Sequence, residues 1–154
     1  MIRIQRDTID NNDFHGLVRS LDDELRSRYG VVQDQYEKYN RIQTLDAVVI
    51  GYLNDIPVGC GAFRIIDTLT VEIKRMMVIP GSRGSGIAGM ILNELEIWAV
   101  EKGFSRSVLE TGIKQPEAIR FYSKSGYSTI DNYGPYVGNT NSICMGKKMI
   151  QYDR

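Results

Sequence analysis

Twelve consecutive residues, Val78-Ile79-Pro80-Gly81-Ser82-Arg83-Gly84-Ser85-Gly86-Ile87-Ala88-Gly89, carry the strongest chemical signal in this chain. They join a strand-like run ending at Val78 to a helical run from Ser85 to Lys102. Pro80 cannot donate to a β-ladder and Gly81 tolerates unusual dihedrals, so the strand stops there. Gly84, Gly86 and Gly89 leave backbone amides uncovered where the helix begins. A helix N-terminus presents unpaired N–H groups and a partial positive charge, which makes a glycine-rich start an anion cradle. Arg83 adds a permanent cation. The stretch is suited to phosphate.

Two templates compete for that phosphate. Gly84-x-Gly86-x-x-Gly89 spells the dinucleotide fingerprint, and Glu110 stands about twenty residues on, where an acid should meet the ribose. That fingerprint needs its glycines almost directly after the strand, whereas Ile79 to Arg83 intervene here, and the preceding strands read as antiparallel. A Walker loop is excluded because no Gly-Lys-Ser/Thr closes the segment. A glycine-rich connection without a ligand is the plain alternative.

The other template is Arg83-x-x-Gly86-x-Ala88 following a strand that ends Val78-x-Pro80. It resembles the acetyl-coenzyme A signature of the GNAT superfamily of N-acetyltransferases. Glu72-Ile73-Lys74-Arg75-Met76-Met77-Val78, Leu109-Glu110-Thr111-Gly112 and Ala118-Ile119-Arg120-Phe121-Tyr122 fall in the order and spacing of that family. The resemblance spans most of residues 45 to 130 and weakens over the first 40. It implies acetyl-CoA as cosubstrate and no metal. Arg83, Gly84, Ser85, Gly86, Ile87 and Ala88 would then hold the pyrophosphate. The strand before the loop would splay from the next one, and the pantetheine arm would slot into that gap with hydrogen bonds to backbone at Met77 and Val78. The Val78 N–H would polarise the thioester carbonyl. Gln115 occupies the place where many members have an asparagine contacting the coenzyme. Tyr122 matches the tyrosine that faces the sulfur and protonates the leaving thiolate, with core packing as its alternative. Glu72 lies eleven residues before Arg83, the spacing of the catalytic glutamate in histone-acetylating members, which implies a general base. Its alternative is an ordinary ion pair with Lys74 or Arg64. Strand alternation puts Glu72 on one side with Lys74 and Met76.

The implied reaction moves acetyl from acetyl-CoA to a primary amine of a small molecule or peptide by direct attack. An alkylammonium of pKa about 10.4 costs roughly 4.6 kcal/mol to deprotonate at pH 7, an α-amine near 8 only about 1.4 kcal/mol, so a base matters most for lysine-like or polyamine acceptors. The resemblance implies an acceptor lying against the first two helices and the loop before the last strand, near Glu24, Tyr29, Tyr133 and Tyr136, with Arg64 or Arg75 as candidates to reach in. The turn Tyr133-Gly134-Pro135-Tyr136 itself reads more readily as a structural corner than as a pocket wall. The rival readings are a CoA-binding regulatory module without turnover and, more remotely, an NAD(P)-binding enzyme.

The elements that must position these residues follow from periodicity. Ile2 to Gln5 alternates as a first strand. Phe14, Leu17, Val18, Leu21 and Leu25 recur at helical spacing behind the N-cap candidates Asp10 to Asp13, leaving His15 off the stripe. Gly30 closes that region, and Gln33 to Ile42 reads as a second, polar helix. Leu45 to Leu53 and Pro57 to Ile66 form a hairpin about Asn54-Asp55. Gly59-Cys60-Gly61 marks a bulge or a close approach, read as packing under a neighbouring helix. Leu69 to Val78, the helix after the loop, and Ser107 to Glu110 make a strand–helix–strand crossover with parallel strands. A helix begun by Gln115-Pro116-Glu117 and ended by Gly126, then strands at Tyr127 to Ile130 and Ile143 to Met149, complete the order. The expected fold class is α/β, the GNAT fold: a mixed, mostly antiparallel sheet of about seven strands flanked by about four helices, in a single domain over residues 1–154.

Length and composition set the bounds. A chain of 154 residues with 42% hydrophobic residues buries a proper core. The 19 basic and 19 acidic residues cancel, so no broad field favours nucleic acid or an anionic membrane. No apolar run approaches a transmembrane length, and the charged start is unlike a signal peptide. One His and two separated Cys offer no metal cluster. Cys60 and Cys144 sit in strand-like runs and are expected to be free buried thiols in a reducing, cytoplasmic protein. Members of the family are often dimers, so a homodimer stays open.

Overall fold

The computed structural model describes residues 1–29 and 44–150. The hydrophobic patterns become seven strands and three helices among these residues: β1 (Ile2–Asp7), α1 (Asn12–Tyr29), β2 (Ala47–Leu53), β3 (Ile56–Ile65), β4 (Thr70–Val78), α2 (Ile87–Glu101), β5 (Arg106–Gly112), α3 (Pro116–Lys124), β6 (Ser128–Ile130) and β7 (Ser142–Lys148). The polar helix expected over Gln33 to Ile42, and Gly30 before it, lie outside the described residues; among those described there are three helices where about four are expected for the whole chain.

All strands form one sheet in the order β1-β2-β3-β4-β5-β7-β6. Only β4 and β5 pair in parallel; every other neighbour is antiparallel. Asn54 and Asp55 turn the β2–β3 hairpin with φ of 50° and 67°, the left-handed pair that a tight hairpin demands. The apolar stripe of α1 packs on one face against Val48, Ile50, Tyr52, Cys60, Ala62 and Met77. Ile87, Ile91 and Leu95 of α2 cover the other face with Val49, Phe63, Val71, Ile73 and Val78, and Tyr122 of α3 joins that cluster. Both cysteines are buried and free.

The feature that makes a site is the parting of β4 from β5. Their pairing is confined to Thr70–Ile73 with Arg106–Leu109, while both strands run on, β4 to Val78 and β5 to Gly112. The cause is local. Against β3, Cys60 pairs Met77 and Ala62 pairs Lys74, so two β4 residues face one on β3. Arg75 takes the strain at φ 59°, and a bulge of this kind bends the strand that carries it. The bulge also corrects the alternation expected from sequence. Lys74 does lie beside Glu72, but Met76 is turned to the opposite face, where it packs with the α2 cluster.

Gly59 and Gly61 lie under α2, as the close-packing reading expects. A Cβ on Gly61 would collide with Met76 and stand 2.9 Å from Leu95 and 3.0 Å from Ile91. Gly61→Val should therefore lower stability by about 1–3 kcal/mol through overpacking. Thermal unfolding would show this as a loss of about 2–4 °C per kcal/mol.

Candidate active site

Two adjoining cavities fill the gap between the parted strands. The larger, about 340 Å³, is lined by Met77, Val78, the Ser82–Ala88 loop, Phe121 and Tyr122. The smaller, about 170 Å³, is lined by Glu72, Lys74, Arg75, Glu110, Thr111 and Tyr136. Leu21, Leu25, Met76, Gln115, Ala118 and Tyr122 border both.

The loop side is built from backbone. Pro80–Ser82 form a single 3-10 turn, which lifts the chain away from β4 before the glycines. Gly84 and Gly86 hold φ of 82° and 87°, left-handed values at which a side chain is strained. Gly86 is the N-cap of α2, and no side chain caps the helix there. The first amides of α2 therefore keep their donors for an anion. Arg83 is engaged on both sides: its Nε donates to the Val78 carbonyl at 2.8 Å and its Nη2 to Glu24 of α1 at 2.8 Å. Ser85 Oγ donates to the Ser82 carbonyl. The antiparallel run β1 to β4 before this loop is unlike the strand–helix alternation that a dinucleotide fingerprint opens.

Ladder geometry separates the two strand residues proposed for the pantetheine arm. The Ile79 N–H donates to the Val58 carbonyl at 2.8 Å. By the alternation of an antiparallel ladder, Met77 then turns its polar groups toward β3, and Val78 turns its N–H and C=O to the open gap. The Arg83 bond to the Val78 carbonyl agrees with that direction.

Tyr122 stands at the border of the two cavities, 8% exposed, its ring edge-on to Phe121 and Tyr127. Its hydroxyl bonds to no described residue, and burial pushes its pKa up. Gln115 caps the start of α3 by position, and its side-chain oxygen accepts from Thr111 at 2.7 Å, tying β5 to α3.

Glu72 is 1% exposed, and both of its oxygens are engaged. Oε1 accepts from Arg64 at 2.7 Å and lies 3.8 Å from Lys74 Nζ; Oε2 accepts from the Tyr133 hydroxyl. Both ion-pair partners considered from sequence are thus present. Arg75 lines the smaller cavity but is tied to Asp22 of α1. Of Tyr133 and Tyr136, read from sequence as a structural corner, Tyr136 is also wall of the smaller cavity and accepts a 3.3 Å bond from Lys74. Burial lowers the pKa of Lys74, against the pull of Glu72. The Tyr29 side chain lies outside what is described. Cys60 is wholly buried with its thiol pushed up to about 12 by burial, which disqualifies it as an acyl-carrying nucleophile.

Sequence reasoning missed Lys74 and Glu110 as cavity groups. Burial raises the pKa of Glu110, and Ser142 donates to its Oε2 at 2.7 Å. The available signal was an ionisable residue within a strand-like run, where charge is rarely buried without purpose. Among the described residues, no cluster of His, Cys, Asp and Glu could hold a metal, and no helix is long and apolar enough to cross a membrane.

Residues 14–127 match the family model described as Acetyltransferase (GNAT) family. The chain belongs to that family. Among curated relatives, an IAA acetyltransferase of Azospirillum brasilense is 39% identical over 94 residues, covering 60% of this chain and 61% of that protein. The uncharacterized N-acetyltransferase YsnE of Bacillus subtilis (strain 168) is 31% identical over 93 residues, covering 59% and 62%. The chain thus aligns with about three fifths of the length of these relatives. In structure it is similar to a Klebsiella pneumoniae protein assigned to the acyl-CoA N-acyltransferases, with TM-score 0.81, 27% identity, and 97% and 99% of the two chains covered. A GNAT family acetyltransferase from Elizabethkingia anophelis, solved with acetyl-CoA bound, shares the fold at TM-score 0.68 and 20% identity over 96% and 97% of the chains. The GNAT fold, with its mixed seven-stranded sheet, is what the sequence implied.

Proposed function

We propose that this chain, as a single catalytic domain over residues 1–154, moves acetyl from acetyl-CoA to a primary amine of a small molecule or peptide by direct attack. The observation that carries the reading is Tyr122: a buried hydroxyl with no partner among the described residues, at the border between the cavity of the glycine loop and the cavity of the polar groups. An unsatisfied buried hydroxyl is costly unless it has a task.

Arg83, Gly84, Ser85, Gly86, Ile87 and Ala88 hold the pyrophosphate on the uncapped start of α2. The pantetheine arm lies along the open edge of β4. Val78 meets it with backbone polar groups, and Met77 lines the cavity. Gln115 borders the path from α3. The Val78 N–H, aimed at the gap, stabilises charge on the thioester oxygen. Tyr122 protonates the departing thiolate, and a carboxylate of the smaller cavity assists deprotonation of the amine, Glu72 being the candidate read from sequence. The coenzyme-bound Elizabethkingia anophelis relative supports the choice of acetyl donor, and the names of the curated relatives support acetyl transfer.

The test is thermal stabilisation by acetyl-CoA, CoA, NAD and NADP side by side, followed by thiol release with an amine panel. A ligand at a hundred times its dissociation constant should add about 2.7 kcal/mol. Stabilisation by the coenzyme A pair alone, with amine-dependent thiol release, is the expected result. Stabilisation by a dinucleotide alone would overturn the assignment of the loop. Binding of coenzyme A without thiol release from any amine would leave a binding module and no enzyme.

A further inference from the structure

The sequence offered Glu110 only as a ribose partner in a dinucleotide site. In the fold it sits on β5 across the gap from β4 and lines the smaller cavity with Glu72, Lys74, Tyr122 and Tyr136. Pairing with Cys144 of β7 places it beside Ser142, which fills one carboxylate oxygen, Oε2, at 2.7 Å. The other oxygen, Oε1, accepts from no described residue. Glu72 lines the same cavity but has no open oxygen. It is 1% exposed and both of its oxygens are engaged by Arg64 and Tyr133. A carboxylate oxygen with open lone pairs on a cavity wall is a seat for an N–H donor.

We propose that Glu110 is the catalytic carboxylate that meets the acceptor's amine, and that Glu72 is a positioning residue which fixes Arg64, Tyr133 and Lys74 around it. This rests on the acetyl-transfer reading above. The proton accounting closes with the groups present. The acceptor arrives as an ammonium and gives one proton to Glu110 Oε1. The freed nitrogen lone pair forms the C–N bond to the thioester carbon. The C–S bond then breaks, and the thiolate takes the Tyr122 proton to leave as coenzyme A thiol. The second proton shed by nitrogen restores the phenol, and the proton on Glu110 passes to water. One proton is released per turnover.

The same geometry narrows the acceptor. A cavity of about 170 Å³ holds a small molecule, since each water in the liquid takes about 30 Å³. A dedicated base does most for an amine of pKa near 10.4 and little for one near 8. The acceptor class is therefore a small primary alkylamine. Burial raises the pKa of Glu110, which brings it closer to the ammonium whose proton it takes. The groups that face it are Glu72 and Lys74 from β4, Ser142 and Cys144 from β7, Tyr136 from the β6–β7 loop and Tyr122 from α3; α1 contributes apolar Leu21 and Leu25.

The experiment uses the full chain, saturating acetyl-CoA and n-butylamine, with thiol release followed from pH 6 to 10. Glu110→Gln should lower kcat/KM for butylamine by about a hundredfold at pH 7, while thermal stabilisation by acetyl-CoA stays as in the wild type. The deficit should shrink toward pH 10, where solution supplies free amine, and Glu110→Asp should recover part of the rate. Glu72→Gln should raise KM for butylamine more than it lowers kcat. Wild-type kcat/KM in Glu110→Gln, or the whole loss reproduced by Glu72→Gln alone, overturns the assignment. If the wild type itself releases no thiol with butylamine, the acetyl-transfer reading fails for alkylamines, and Glu110 is judged by carboxyl carbon NMR with butylammonium. A shifted Glu110 resonance, absent in Glu110→Gln, then supports the amine seat, and an unmoved one overturns it.

Discussion

Tyr122→Phe should lower kcat by about a hundredfold or more, with the dissociation constant of acetyl-CoA almost unchanged. The substitution removes one hydroxyl and leaves the ring that packs edge-on against Phe121 at 5.1 Å and Tyr127 at 5.8 Å. The fold should survive intact, because the lost hydroxyl bonds to no described residue. Deleting an unsatisfied buried polar group is neutral or stabilising. The catalytic loss follows from the leaving group. Collapse of the tetrahedral intermediate expels an alkyl thiolate, and without a proton that thiolate stays an equal competitor for the carbonyl. Burial raises the phenol's pKa, which alone would make it a poor acid. A low-dielectric site disfavours a thiolate for the same reason, so acid and leaving group climb together and the proton still moves. Because only the transition state uses the hydroxyl, kcat and kcat/KM should fall together. Steady-state kinetics beside calorimetric titration with acetyl-CoA would check this. A kcat within a few-fold of wild type would remove Tyr122 from the mechanism.

The contrast between Tyr122 and the two glutamates shows what a linear sequence can carry. The strands, the tight turn at Asn54-Asp55 and the glycine-rich entry to α2 were legible because each depends on residues close together in the chain. Proline and glycine end β4, and glycines uncover the start of α2. The parallel contact of β4 and β5 was also legible, since a strand, a helix and a strand in succession leave little choice. The parting of those strands was implied by the family resemblance alone. It depends on Arg75 adopting a positive φ that arginine rarely takes, and no periodicity announces it. The bulge moved Met76 across the sheet and left Lys74 with Glu72. The difference between Glu72 and Glu110 was hidden. Glu72 is enclosed by Arg64 from β3 and Tyr133 from the β6–β7 loop, and Glu110 keeps an oxygen open because β7 supplies only Ser142. Those partners lie 8, 61 and 32 residues away in sequence.

Gly86→Glu should weaken acetyl-CoA binding by about a hundredfold to a thousandfold, the loss expected when a charge-assisted contact worth about 1.5–3 kcal/mol is replaced by repulsion. Two effects add. Gly86 holds φ of 87°, where a side chain costs roughly 1–2 kcal/mol, so the loop would lose its shape or the helix its first turn. The carboxylate would also stand at the positive end of α2, in the place proposed for the pyrophosphate. Crowding is not the cause, since a Cβ on Gly86 meets nothing within 4 Å. Gly86→Asn separates the two contributions, because asparagine tolerates the left-handed region and carries no charge. It should bind within about tenfold of wild type on strain alone. Arg83 makes the electrostatic part sensitive to salt: its guanidinium is held by Glu24, and the side chains of that pair are 44% and 30% exposed. Phosphate must share or displace that partner. Titration calorimetry of the three proteins with coenzyme A, at low and at physiological salt, reads both contributions. Wild-type affinity in Gly86→Glu would show that the loop does not carry the pyrophosphate, and the acetyl donor would then have to bind elsewhere along β4.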